Sequence, residues 1–129
     1  MKRIILLFCG FLVFNCTKQK EQGLNGAWQH VSGVYTFNDS TTTFTSDDGN
    51  SMKVYSDKYY SMNTQNKSAE EYYAHSGSYA LIGDEYTEVF KISNNPEMIG
   101  QSETFKYQIN GNQLQISSDW LKEVWKKVE

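Results

Sequence analysis

The sequence has a single proline and no cysteine after position 16. A chain so poor in proline, yet 15% aromatic, is not disordered throughout, because disordered chains are richer in proline and poor in aromatic residues. Without cysteine, any domain beyond position 16 folds without an internal disulfide. Basic residues are scarce too: 12 stand against 15 acidic ones, a net charge of −3, which argues against a nucleic-acid partner. There is no glycine-rich phosphate loop and no Cys or His pair at metal-ligand spacing. The two histidines, His30 and His75, lie far apart in the chain. We therefore expect no catalytic residues, no metal and no cofactor. The 129 residues allow one domain.

Only one long apolar run is present. Met1-Lys2-Arg3 is basic, and Ile4 to Phe14 follows without a charge. Eleven residues rise about 16 Å as a helix, too short for a bilayer core of roughly 30 Å. Residues 1–15 therefore read as a secretory signal. The run ends Leu12-Val13-Phe14-Asn15-Cys16, which resembles a bacterial lipobox, with Asn15 in place of the usual small residue. The resemblance implies lipidation at Cys16. Two or more acyl chains there suffice for stable anchoring without a spanning helix. Residues 16–23 then form the lipidated cysteine and a polar tether. Cleavage removes Lys2 and Arg3, leaving ten basic and fifteen acidic residues, a net of −5. The expected location is the cell envelope, on the outer membrane.

Residues 24–129 read as strands. Glycine, Asn, Asp and Ser punctuate the chain at short intervals. Candidate strands are Ala27–Phe37, Thr41–Thr45, Ser51–Ser56, Lys58–Gln65, Gly77–Ile82, Glu85–Ser93, Ser102–Asn110, Gln113–Ser117 and Lys122–Val128. Gly83-Asp84 and Asn110-Gly111-Asn112 suit tight hairpins. Two strands alternate clearly: Tyr86, Glu88, Phe90 and Ile92 share one face, and Phe105, Tyr107 and Ile109 another. Eight or nine such strands predict an all-β, up-and-down antiparallel barrel, which leaves no exposed edge. A two-sheet sandwich is the alternative. Ser68–His75, with Ala69-Glu70-Glu71-Tyr72-Tyr73-Ala74, predicts one or two helical turns.

The domain opens Leu24-Asn25-Gly26-Ala27-Trp28 and ends Glu123-Val124-Trp125-Lys126-Lys127-Val128. Gly-x-Trp on the first strand resembles the lipocalin signature. Gly77-Ser78-Tyr79, Tyr86-Thr87-Glu88 and Gly100-Gln101-Ser102-Glu103-Thr104-Phe105 lie between these ends. Together they look like the short lipocalin-like (calycin-type) lipoproteins of Gram-negative bacteria. The resemblance implies an eight-stranded barrel closed by a basic residue over the first-strand Trp. Trp28, Trp125 and Lys127 are the closure residues, with Lys126 the alternate. Lysine stands where the family pattern has arginine. It also implies a small apolar ligand as partner. An eight-stranded interior is just wide enough to be filled by side chains or to hold one small ligand. Ten bulky residues are expected to point inward: Tyr60, Met62, Tyr79, Leu81, Tyr86, Phe90, Phe105, Tyr107, Leu114 and Ile116. They predict a small pocket rather than a deep calyx.

The candidate ligand-binding residues are Glu88, Tyr79, Tyr107, His30, Phe105 and Tyr60. His30 shares a strand face with Trp28 and can join Glu88, Glu103 and Glu123 in an internal polar cluster. Such a cluster either anchors a ligand or is internally satisfied, with Lys127 pairing Glu88 or Glu123. Tyr79 and Tyr107 are the expected donors to Glu88. Asp47-Asp48-Gly49-Asn50 lacks the ligand spacing of a calcium loop and reads as a solvated hairpin turn. In each of the pairs Tyr59-Tyr60 and Tyr72-Tyr73, one ring is expected in the core. The leading expectation is a non-enzymatic, membrane-anchored, monomeric barrel binding a small hydrophobic or amphipathic molecule. A filled-barrel interaction module is the alternative, and a lipocalin-type isomerase a third.

Overall fold

The computed structural model describes residues 23–128, so the signal segment, Cys16 and most of the tether lie outside the described residues. Nine strands follow one another: β1 Gly26–Phe37, β2 Ser40–Thr45, β3 Gly49–Tyr55, β4 Tyr59–Asn66, β5 Tyr72–Ile82, β6 Glu85–Ser93, β7 Ser102–Asn110, β8 Gln113–Ser117 and β9 Leu121–Val128. Asn38 and Asp39 join β1 to β2 with φ of 47° and 64°, the positive values that a two-residue hairpin of right-handed twist requires. Gly83 and Gly111 supply φ of 61° at the β5–β6 and β7–β8 turns.

Each strand from β3 to β9 pairs antiparallel with the next, and β1 pairs with both β3 and β9, closing an eight-position barrel. The ninth strand shares a position. β2 pairs Ser32–Phe37 of β1, and β3 pairs Gly26–Gln29 of the same strand. They run in one direction and are separated by the turn at Asp47-Asp48, where Asp48 Oδ2 accepts from the Thr45 backbone N–H at 2.7 Å. The calcium-loop lookalike is therefore not the hairpin turn expected: the strands it joins run in the same direction along β1, and it is a kink between them. It lets Gly49–Ser51 leave β1 while keeping their ladder to Thr64–Asn66 of β4.

Two local expectations fail. Ser68–His75 contains no helix. β5 already begins at Tyr72, whose segment pairs residue by residue with Gln65–Met62 of β4. A helix there would leave the β4 edge unpaired, and this tertiary gain overrides local helix propensity. Ile92 is not inward; it is 69% exposed. Between Ser76↔Ile92 and Gly77↔Phe90, β6 carries one extra residue, Lys91, and this bulge reverses the alternation. Gly77 is needed at that point, since a Cβ would sit 1.8 Å from the Val89 carbonyl oxygen.

The two ends of the barrel differ. At the end where Leu24 leads into β1, Leu24, Trp28, Tyr55, Tyr86, Leu114 and Trp125 are buried and fill the lumen. The Trp28 indole N–H donates to the Leu24 carbonyl at 2.7 Å, which seats the entering chain across this end. Lys127 lies directly opposite Trp28 in the β1–β9 register, with Nζ 5.5 Å from the ring centroid, as the closure residues predicted. Of the ten expected inward residues, seven are buried, while Tyr79, Leu81 and Tyr107 are half-buried and pack against the core edge.

Candidate functional site

The other end stays open. Above the filled half lies a cavity of about 440 Å³, reached between the β1–β2 hairpin and the connections after β4, β6 and β8. Its wall is largely aromatic: Phe44, Phe90, Phe105, Tyr73 and Trp120 contribute, with Met62 and Met98 between them. The short 3-10 turn Pro96–Met98 carries Met98 to this rim, capped by the Asn95 side chain.

The boundary between plug and cavity is an ion pair. Glu88 is 2% exposed, and its Oε1 accepts from Lys53 Nζ at 2.7 Å. Tyr86 also donates its hydroxyl to the same carboxylate, and Tyr55 lies 3.1 Å from the Tyr86 hydroxyl. The lysine stem is buried with it, Nζ lying 5.3 Å from the Trp125 ring centroid. Burial opposes the lysine's charge, but Glu88, Tyr55 and Glu123 together outweigh it and raise the Lys53 pKa above its usual range. Glu88 thus points into the lumen as expected, with different partners. Lys127 is at the far end, over Trp28, and does not reach it. Tyr79 donates instead to the Ser56 carbonyl, at 2.6 Å. Tyr107 pairs with Ile116 in the β7–β8 register, away from the carboxylate.

Sequence reasoning missed Lys53. β3 places Ser51, Lys53 and Tyr55 inward and turns Met52 and Val54 outward, so its apolar residues mark the wrong face. The signal that could have found it is the carboxylate itself. A glutamate on an inward face requires a cation from another inward face, and Lys53 shares parity with Tyr55.

Among the described residues, four more carboxyl or imidazole groups face the cavity. Glu123 accepts from the Tyr35 hydroxyl and from the Trp125 indole N–H, both at 2.9 Å. Glu103 stands directly opposite Glu88 in the β6–β7 register, yet makes no hydrogen bond or ion pair among the described residues. Burial, and then Glu88, push its carboxyl above the ordinary carboxylate range. His30 is 4% exposed, and both ring nitrogens lack a hydrogen-bond partner. Its ring packs edge-on against Trp125, centroids 4.9 Å apart, and burial lowers its pKa. His75, also on the wall, shares a hydrogen bond between Nδ1 and the Tyr60 hydroxyl at 2.8 Å. Burial takes its pKa down to about 4, so both imidazoles are neutral at pH 7.

Of the six candidate ligand residues, Glu88, His30 and Phe105 line the cavity. Tyr60 sits behind His75, and Tyr79 and Tyr107 lie below. Tyr60 is the core member of its pair, as expected; Tyr72 and Tyr73 are both exposed, Tyr73 at the rim against His75. Among the described residues no group of His, Cys, Asp or Glu is arranged to hold a metal ion.

The profile of a domain of unknown function, DUF4488, matches residues 23–129, which contain all nine strands. The chain belongs to the DUF4488 family. No curated protein matches its sequence significantly. Two solved structures share the fold of this DUF4488 domain. A lipocalin-like protein from Bacteroides uniformis is 19% identical, with a TM-score of 0.60 over 81% of this chain and 98% of that one. An uncharacterized protein from Bacteroides eggerthii is 18% identical, with a TM-score of 0.56 and the same coverage. At such identities the likeness concerns the fold alone: this DUF4488 member is a lipocalin-like barrel.

Proposed function

We propose that this chain is a binding protein that holds one small amphipathic molecule in its open half, anchored to an envelope membrane through a lipidated Cys16. One observation carries the reading: a cavity of about 440 Å³, walled by aromatic and methionine side chains, with buried His30 unpartnered at its edge. Ligand cavities of about 300–1,000 Å³, mostly apolar with a few polar groups, suit a small molecule. Burying an imidazole without a hydrogen bond costs about 1–3 kcal/mol, a cost that a bound polar head would remove. The Lys53–Glu88 pair is satisfied internally, which makes it the floor of the site rather than the ligand anchor.

A second reading has one observation in its favour. Two imidazoles and two further carboxylates converge on the same cavity, as acid–base catalysis on a bound molecule would require. Native mass spectrometry of the protein extracted from its own envelope separates the possibilities. A retained, chemically unchanged small molecule supports binding; a product-related mass supports catalysis. A bare chain, with no retained mass in repeated gentle extractions, counts against both.

A further inference from the structure

Resting on the binding reading, we infer that the cavity selects an amphiphile with a protonated amine head and discriminates against the carboxylate head of a fatty acid. The charge around the cavity is lopsided: among the described residues Lys53 is its one cationic side chain, against Glu88, Glu103 and Glu123. Lys53 is committed to Glu88 at 2.7 Å, so two carboxylates remain without a cation. Glu103 also lies directly across from Glu88, and like charges placed opposite on neighbouring strands destabilise a sheet. An ammonium beside it would relieve that repulsion and favour its ionised form.

The hydrogen-bond inventory points the same way. An ammonium brings three donors and no acceptor. The cavity offers the unpaired Glu103 carboxylate, the remaining lone pairs of Glu123 and the acceptor nitrogen of neutral His30. A carboxylate would need several donors, and Lys53 is taken by Glu88 and the Trp125 indole by Glu123, which leaves it the single N–H of neutral His30. The aromatic rim, where Phe37 packs on Trp120 with centroids 5.1 Å apart, adds ring faces that attract a cation and repel an anion.

The test uses the full chain carrying Cys16→Ser, so that no attached lipid competes. The neutral fluorophore N-phenyl-1-naphthylamine is bound first, then displaced by octylammonium, octanol or octanoate at pH 7.5. We expect octylammonium to displace at a concentration at least tenfold lower than octanoate, with octanol between. Glu103→Gln should shrink that ratio at least threefold. If octanoate competes as well as octylammonium, or the ratio survives Glu103→Gln, the charge selection is wrong while cavity binding stands. If neither the fluorophore nor any of the three binds, the binding reading fails and this inference with it.

Discussion

Lys53 and Glu88 meet at 2.7 Å across the lumen from β3 and β6, two strands that are not neighbours in the sheet. The pair therefore ties opposite walls of the barrel and divides its filled half from its open half. Removing one partner leaves a buried charge with no counter-charge, which costs about 3–5 kcal/mol, whereas removing both costs far less. Lys53→Met should lower unfolding stability by that amount, and Lys53→Met with Glu88→Gln should recover most of it. Urea unfolding of the single and double variants checks this. A loss below about 1 kcal/mol for Lys53→Met would mean the pair does not hold the walls together.

Trp28 is fully buried and carries the Lys127 ammonium on its face. Trp28→Ala removes a core aromatic and should cost about 3–5 kcal/mol. Lys127→Ala loses a partly exposed cation–π contact and should cost about 0.5–1 kcal/mol. Chemical denaturation of both variants measures the gap; equal costs would assign the closure to the lysine rather than the indole.

Acid should weaken the fold through His75. Its pKa is about 4 in the folded chain against 6.5 as the ordinary value, so the unfolded chain binds the extra proton. Stability contributed by the neutral imidazole is complete above pH 6.5 and is lost as pH falls towards 4, at up to about 1.4 kcal/mol per pH unit. His30, also lowered, adds to this slope. Glu103, whose pKa is raised, opposes it, because its contribution is lost as pH rises. Thermal melts between pH 4.5 and 7.5 should show the decline, and His75→Gln should flatten it. A wild-type melting temperature constant over that range would contradict the assignment.

Cys16 is the anchor in the proposed account. Cys16→Ser should move the protein from the membrane to the soluble fraction of the envelope, as followed by fractionation and immunoblotting. Unchanged membrane association would place the anchor elsewhere.

Much of the barrel was legible because most of its strands alternate. Phe105, Tyr107 and Ile109 against Thr104, Lys106 and Gln108 could be read directly, and so could the glycine turns. The closure was legible from Trp28 and Lys127, whose pairing follows from the first and last strands meeting. The site was legible where polar residues shared parity with apolar ones, as Glu88 does with Tyr86 and Phe90. It was hidden where this relation inverts. In β3 the buried side chains are Ser51, Lys53 and Tyr55, while Val54 is 47% exposed, so hydrophobicity alone misassigns the face. The Lys91 bulge that turns Ile92 outward depends on register with β5, and Tyr72–His75 becomes a strand only because β4 needs a partner. Both are long-range effects that no local pattern encodes.

Occupancy of the open half is read most directly by fluorescence titration of the full Cys16→Ser chain with N-phenyl-1-naphthylamine, in parallel with a variant that also carries Glu103→Trp. The added indole projects into the cavity from a half-buried position on β7. Saturable one-to-one enhancement is expected for the unblocked chain, with its loss in a blocked variant that unfolds with the same cooperativity. No enhancement in the unblocked chain, or equal enhancement in both, would contradict a ligand-binding cavity in the open half of the barrel.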